Sequence, residues 1–375
     1  SRAGDTQPVG LEFEMQLLDR QSLDLRDGVL PLLEFFPDNP YVKPESIQNT
    51  VEVITPVCHS VAEMHAHLTP LVRALQDRCE QLGMALCGAG THPFSQKLAL
   101  ITPRPRYQAM EQRAGFLMHT QITFATHVHL GMRNGDEAIM LMHRLKPYLP
   151  LLIALSANSP YWRGYDTHCA SYRHRILAAS RSYGVPPSFP DWDAFCRFYN
   201  TTRRAGLFQS INDIHWDIRP RPHFGSLEIR VMDVQPTVTE AMALAAFVRA
   251  LAMFLREQAD RTDLPQPLSW WTEKENHYQA SLRGLEAPYI HNEAGDARSL
   301  LEVWHDVSAA VAPYAARHGE SHYLASLQHT VMNGLGSVRQ RKAWRAREDW
   351  HEVLTALVAE LHNDCQEVPQ LMTPA

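Results

Sequence analysis

Gly10-Leu11-Glu12-Phe13-Glu14-Met15-Gln16-Leu17 alternates strictly between apolar and polar residues behind a glycine. A period of two belongs to a β-strand, whose successive side chains leave on opposite faces. Leu11, Phe13, Met15 and Leu17 are therefore expected in a core, with Glu12, Glu14 and Gln16 on the other side. Two carboxylates about 7 Å apart on one strand face repel each other unless water or a cation lies between them. A solvated sheet face would show the same alternation, so the choice between a cation site and a wet surface rests on the rest of the chain.

Composition narrows the field. The 375 residues are 45% hydrophobic and 20% charged, with a formal net charge of −6, which gives no general attraction to nucleic acid or to an anionic membrane. No apolar run of roughly 18 residues is expected to span a bilayer. Ser1-Arg2-Ala3-Gly4-Asp5 lacks the apolar centre of a signal peptide, and a cytoplasmic protein is expected. Cys58, Cys79, Cys87, Cys169, Cys196 and Cys365 are scattered without a CxxC pair and are expected to be reduced and mostly buried. GxxxxGK[ST], GxSxG and HExxH are all missing, and Gly88-Ala89-Gly90-Thr91-His92-Pro93 begins like GxGxxG but lacks the third glycine.

Further strands carry further chemistry. Thr50-Val51-Glu52-Val53-Ile54 reads as a strand ended by Pro56, with Gln48, Thr50, Glu52 and Ile54 on one face or Glu52 as a lone edge charge. Glu45 precedes it by seven residues. Met84 to Cys87 reads as a short strand entering the small-residue loop Gly88–Gly90, where backbone can approach a ligand or another strand. Thr123 to Met132 places His127 and His129 on one face. Ile214-His215-Trp216-Asp217-Ile218-Arg219-Pro220 and Ser226-Leu227-Glu228-Ile229-Arg230-Val231-Met232-Asp233 read as a hairpin. Glu228 and Arg230 share its polar face, with Arg219 close by.

Helices fill the gaps. Ser60-Val61-Ala62-Glu63 and Thr237-Val238-Thr239-Glu240 look like capping boxes. The first opens an amphipathic helix, and a nearly apolar one starts near Asp136. From Thr237 onward only helices are expected, in a layer over the sheet. Residues 164–200 read as a long polar connection without secondary structure of its own, carrying Arg173 as a candidate anion contact.

Four strand candidates thus bear an acid or a histidine on the non-core face. Glu12, Glu14, Glu45, Glu52, His129 and Glu228 form a carboxylate-dominated set with one imidazole and no thiolate, which suits Mg²⁺ or Mn²⁺ rather than Zn²⁺. Arg219 and Arg230 at its rim suit the phosphates of a nucleotide.

Six stretches, Gly10–Glu14, Gly88–Phe94, His127–Gly131, Leu155–Pro160, His215–Pro220 and Leu227–Asp233, resemble in order the motifs of the YbdK-type carboxylate-amine ligases, the type 2 glutamate-cysteine ligase family. The resemblance implies an α+β fold of the glutamine-synthetase-like kind: a curved, mainly antiparallel sheet with helices on its outer face and the nucleotide site on its concave face. It implies a single catalytic domain over residues 1–375, with 237–375 a mainly helical C-terminal layer. It also implies ATP and Mg²⁺ (or Mn²⁺), with Glu14, Glu45 and Glu52 holding one metal and Glu12, His129 and Glu228 another. Arg230 would meet the transferring phosphate, with Arg219 and Arg173 as further phosphate or substrate contacts. The implied reaction activates a carboxylate through an acyl phosphate and joins it to an amine, with weak formation of γ-glutamylcysteine and ADP as the family-level guess. The implied partners are small molecules, with a homodimer left open. A phosphotransferase acting on a guanidino group and a non-catalytic nucleotide- or metal-binding protein stay as alternatives.

Overall fold

The computed structural model describes residues 7–366. The alternating stretch lies within Val9–Asp19 (β1), and six further strands complete its sheet: Val42–Pro44 (β2), Thr50–Ile54 (β3), Met84–Cys87 (β4), Ala125–Gly131 (β5), Ile218–Arg221 (β6) and Ser226–Asp233 (β7). They are ordered β6-β7-β5-β1-β3-β2, β4 pairs the far end of β1, and every pairing is antiparallel. The central strand is thus the one with the cleanest period of two. Leu11, Phe13, Met15 and Leu17 are fully buried, and the helices Val61–Gln81, Leu149–Leu155 and Val238–Glu257 pack against the sheet. At about 1.5–3 kcal/mol for each large apolar side chain withdrawn from water, this face fixes the register and so dictates which polar residues meet on the other.

Local signals held with adjustments. Ser60 accepts the Glu63 amide, but the Glu63 carboxylate takes the amide of His59, one residue before the cap. Thr237 caps the Glu240 amide, while the Glu240 side chain reaches the Thr237 hydroxyl and Arg339. The helix Val61–Gln81 runs on through Pro70.

Three expectations fail. The connection 164–200 contains the helices Tyr172–Leu177 and Trp192–Arg204, the second capped by Asp191 and turned inward by Phe195, Phe198 and Tyr199 at three- and four-residue spacing. The C-terminal part holds a short strand pair, Pro288–Ile290 with Ala297–Ser299, and a helix Ser321–Asn333 besides the expected helices. Two stretches, Gly135–Leu155 and Val238–Glu257, are long and apolar enough to cross a membrane by composition, contrary to the expectation that none is; they are 83% and 89% buried inside the fold. All six cysteines are free and all but Cys196 are buried. Ser1–Asp5 lies outside the described residues.

The small-residue loop approaches another strand end. A Cβ on Gly88 would overlap the carbonyl oxygen of Gln235, and one on Gly90 would stand 2.8 Å from Cγ of Asp233. Asp233, at the end of β7, accepts from the Asn158 amide (2.9 Å), Ser159 Oγ (2.6 Å) and Ser171 Oγ (2.9 Å). Asn158 donates to the carbonyls of Gly88 and Val234 and accepts from Gln340 of the helix Gly336–Arg347. Elsewhere Arg249, fully buried, binds Glu320 (2.6 Å) and the carbonyls of Gln7 and His59, tying the helical layer to the start of the sheet.

The close approach at Gly88 is testable. Gly88→Ala adds one methyl where a backbone carbonyl already stands, so urea unfolding should show a loss of about 1–3 kcal/mol. Wild-type stability in that variant would contradict the packing of this loop on the end of β7.

Candidate active site

Register brings the polar face together. Glu12 on β1 stands opposite His127 on β5, Glu14 opposite Glu52 on β3, and Glu228 on β7 pairs with both His129 and Arg219. Gly10 lies across from His129. Glu45 follows β2 directly. Between Ile229 and Met232 the β7–β5 register shifts, and the amide of Arg230 turns away to the carbonyl of Asp217 (2.8 Å). A bulge of this kind re-aims a side chain at a site. The face lines a cavity of about 800 Å³, whose walls include Glu12, Glu14, Glu45, Glu52, Arg173 and Arg230.

Two clusters emerge. The ligand atoms of Glu14, Glu45 and Glu52 lie within 4.8 Å of one another, as do those of Glu12, His129 and Glu228. In the first, Glu14 accepts the Ala125 amide (2.6 Å) and Glu45 the Ser46 amide (3.0 Å). Burial and the neighbouring Glu45 charge push the Glu14 carboxyl up to about 8, and burial with the surrounding acids raises Glu45 and Glu52 too. Three oxygen donors that resist ionisation only for want of positive charge fit a hard divalent cation.

The second cluster is already balanced. Burial alone would raise Glu12, but His129 and His127 override it and hold the carboxyl well below the ordinary range. His127 Nδ1 lies 2.8 Å from one Glu12 oxygen and His129 Nε2 3.1 Å from the other. Burial, reinforced by Arg230, drives His127 down to about 4, so its ring is neutral. Glu228 likewise resists the upward push of burial because Arg230 and Arg219 sit on it. Arg219 Nε is 2.8 Å away, and Arg230 Nη1 donates to the other oxygen.

The cationic rim has donors to spare. Nε of Arg173, Nε of Arg230 and Nη1 of Arg221 are buried without a hydrogen-bond partner. Arg173 spends its terminal nitrogens on the carbonyls of Val231 and Arg230 (3.3 and 3.2 Å), which fixes the guanidinium against β7. Unpaired guanidinium donors facing a cavity suit a multiply charged anion such as phosphate.

All nine residues singled out in the sequence border one region: the six cluster residues, then Arg219 and Arg230 on Glu228, and Arg173 against β7. Others were missed as site residues. His127 was noted on its strand, but only the Glu12–His127 register shows that it binds the acid. Arg221, Tyr183 and His215 also line the cavity, the last two as stacked rings with centroids 4.9 Å apart, where the 164–200 segment folds back beside β6. Spacing could have flagged Arg221, two residues past Arg219 on the same strand. Tyr183 and His215 come together only in three dimensions.

Comparison with known proteins follows the same outline. A family model described as glutamate-cysteine ligase family 2 matches residues 8–360. A Trichormus variabilis protein provisionally named glutamate–cysteine ligase 2 is 43% identical over 94% of this chain and 92% of its own length, and a Frankia alni counterpart is 36% identical over 94% and 95%. Among solved structures, the glutamate–cysteine ligase of Francisella tularensis in complex with AMP superposes with a TM-score of 0.69 at 14% identity, over 96% of this chain and 92% of that one. A bifunctional glutathione synthetase of Pasteurella multocida gives 0.68 at 12% identity, over 96% of this chain and 53% of that one. At such identities the superpositions speak for the glutamine-synthetase-like fold alone, while the family match spans nearly the whole sequence: the chain belongs to glutamate-cysteine ligase family 2.

Proposed function

We propose that the protein is an ATP-dependent carbon–nitrogen ligase. It activates a carboxylate, glutamate by family, as an acyl phosphate with release of ADP and passes the acyl group to an amine such as that of cysteine, giving γ-glutamylcysteine and inorganic phosphate. The chain works as one catalytic domain with small-molecule substrates. The observation that carries this reading is the pairing, on one sheet face beside the cavity, of two acid clusters with a rim of partly unpaired arginines. The free, mostly buried thiols are consistent with a cytoplasmic setting.

In this reading Glu14, Glu45 and Glu52 hold one Mg²⁺ or Mn²⁺ and Glu12, His129 and Glu228 another. Bound there, the cations would neutralise charge on the phosphate oxygens during in-line transfer. The chain's own groups do the rest. Arg230 presents a planar fork to the moving phosphoryl group, and Arg173 and Arg219 stabilise its non-bridging oxygens. His127, neutral and bonded to Glu12, keeps that carboxylate aimed across the sheet. Glu228 is shared by Arg219 and Arg230, so a cation held there would compete with the two guanidiniums, and a phosphate on Arg230 would free the carboxylate for it.

The same sharing changes what a mutation would report. Glu228→Gln strands two buried guanidiniums, so it should cost stability as well as turnover. Arg230→Lys is the cleaner probe, since it keeps the charge. Given ATP, Mg²⁺ and glutamate without amine, isotope in the β,γ-bridging oxygen of ATP should scramble into non-bridging β positions. Arg230→Lys should slow that exchange by about 10²-fold or more, with a smaller change in nucleotide binding. If neither scrambling nor hydroxamate trapping by hydroxylamine occurs with a pair that turns over, acyl phosphate is not on the path.

Protons and cations should also compete. Glu14 ionises near 4.5 in the unfolded chain but near 8 when folded, so the folded protein holds a proton that the unfolded one has released. Metal-free protein should therefore lose melting temperature as pH rises from about 4.5 through about 8. Mg²⁺ should restore more at pH 8 than at pH 6, where it must first displace the proton. A pH-independent response to Mg²⁺ in thermal melts would argue against the Glu14 cluster as a cation site.

A further inference from the structure

A third convergence of ligand atoms lies among residues that the proposed reaction does not use. Asp217, in the one-residue break between His215–Trp216 and β6, turns its carboxylate to two imidazoles. His277 Nδ1, on the helix Trp270–Arg283, lies 3.1 Å from Asp217 Oδ2, and His174 Nε2, on the helix Tyr172–Leu177, lies 3.4 Å from the same oxygen. The three ligand atoms fall within 4.8 Å of one another.

The geometry has an unmet element. The His277 contact is a hydrogen bond, but His174 Nε2 meets Asp217 off line and is buried with no hydrogen-bond partner. Its side chain is only 11% exposed, and those of Asp217 and His277 are 8% and 5% exposed. A buried ring nitrogen beside a carboxylate it does not properly bond is a ligand atom without a partner. Tetrahedral coordination with bonds of about 2.0–2.1 Å sets neighbouring ligand atoms about 3.3 Å apart, the spacing of both imidazoles from Oδ2.

We propose that His174, Asp217 and His277 form a site for a divalent transition cation of the zinc class, separate from the carboxylate clusters of the cavity. Two imidazoles and one carboxylate favour such a metal over Mg²⁺, which takes oxygen. Lys146, which is buried, is already paired with Glu273 (3.0 Å), one turn before His277, and Arg175 stacks on the Tyr278 ring.

The site would be structural and would sit behind the arginines. His174 adjoins Arg173. The Asp217 backbone accepts the Arg230 amide and donates to Gly184 (2.9 Å), and Arg219 lies two residues on. A metal here clips the helix Trp270–Arg283 to the three segments that carry the cationic rim.

The test uses the full chain, stripped with chelator and then titrated with Zn²⁺ or Co²⁺ under a large excess of Mg²⁺ that fills the carboxylate clusters. Elemental analysis should find one Zn²⁺ per chain. Co²⁺ should give the visible absorption of a tetrahedral nitrogen/oxygen site, and Zn²⁺ should raise the melting temperature. His277→Gln and His174→Gln, each checked by circular dichroism for a folded chain, should lose the cobalt band and bind Zn²⁺ at least about 10²-fold more weakly. A wild-type chain that retains no Zn²⁺ under Mg²⁺ excess would leave a hydrogen-bonded triad only and overturn the proposal. So would variants whose zinc stoichiometry and cobalt spectrum match wild type.

Discussion

The strand-borne charges of the cavity depend on how β7 ends. Asp233 is fully buried and takes three hydrogen bonds, one from an amide and two from serine hydroxyls on the segment 158–171. Ser159, one of the donors, in turn accepts the amide of Arg173, whose guanidinium grips the carbonyls of Arg230 and Val231. The carboxylate therefore sets the height of β7 relative to Arg173, and through the bulge the aim of Arg230. Buried polar networks specify structure strongly when every member is paired, because any alternative leaves a desolvated group without a partner.

Strict alternation in β1 was enough to foresee which faces are wet and dry, because one slipped residue would put Glu12 and Glu14 into the core. Strand positions for Glu52, His129, Glu228 and Arg230 followed the same rule. Pairing was less visible. Nothing local says that Glu12 meets His127, or that Glu14 meets Glu52, since cross-strand neighbours are set by long-range register. The loop Gly88–Gly90 was read as open to either a ligand or a strand; it meets the end of β7, and the glycines serve packing. Asp217 stood in plain sight within a motif, yet its partners come from helices 43 residues before it and 60 after, one of them in a segment expected to be irregular.

The two acid clusters differ in kind although both sit on one sheet. The Glu12 cluster carries its own partners, two imidazoles on Glu12 and two guanidiniums on Glu228, and both carboxyls are held well below the ordinary range. The Glu14 cluster has backbone amides as its hydrogen-bond donors, and burial outweighs the more distant arginines, so its carboxyls are pushed up. One is a prepaid charge arrangement that a ligand must rearrange, and the other a deficit that a cation fills.

The strand order has a consequence for how the chain becomes a protein. β1 is made first but draws neighbours from residues 50–54, 84–87 and 125–131, and the arginine-bearing β7 joins only through β5. Contacts of such wide sequence separation form late and together, since each must overcome loop closure before it is rewarded. The acids of β1 thus acquire Glu228 and Arg230 as neighbours only once the chain has been made past β7. Fragments ending before residue 226 would lack both Glu228 and Arg230, which makes assembly of the cavity an event of the whole fold.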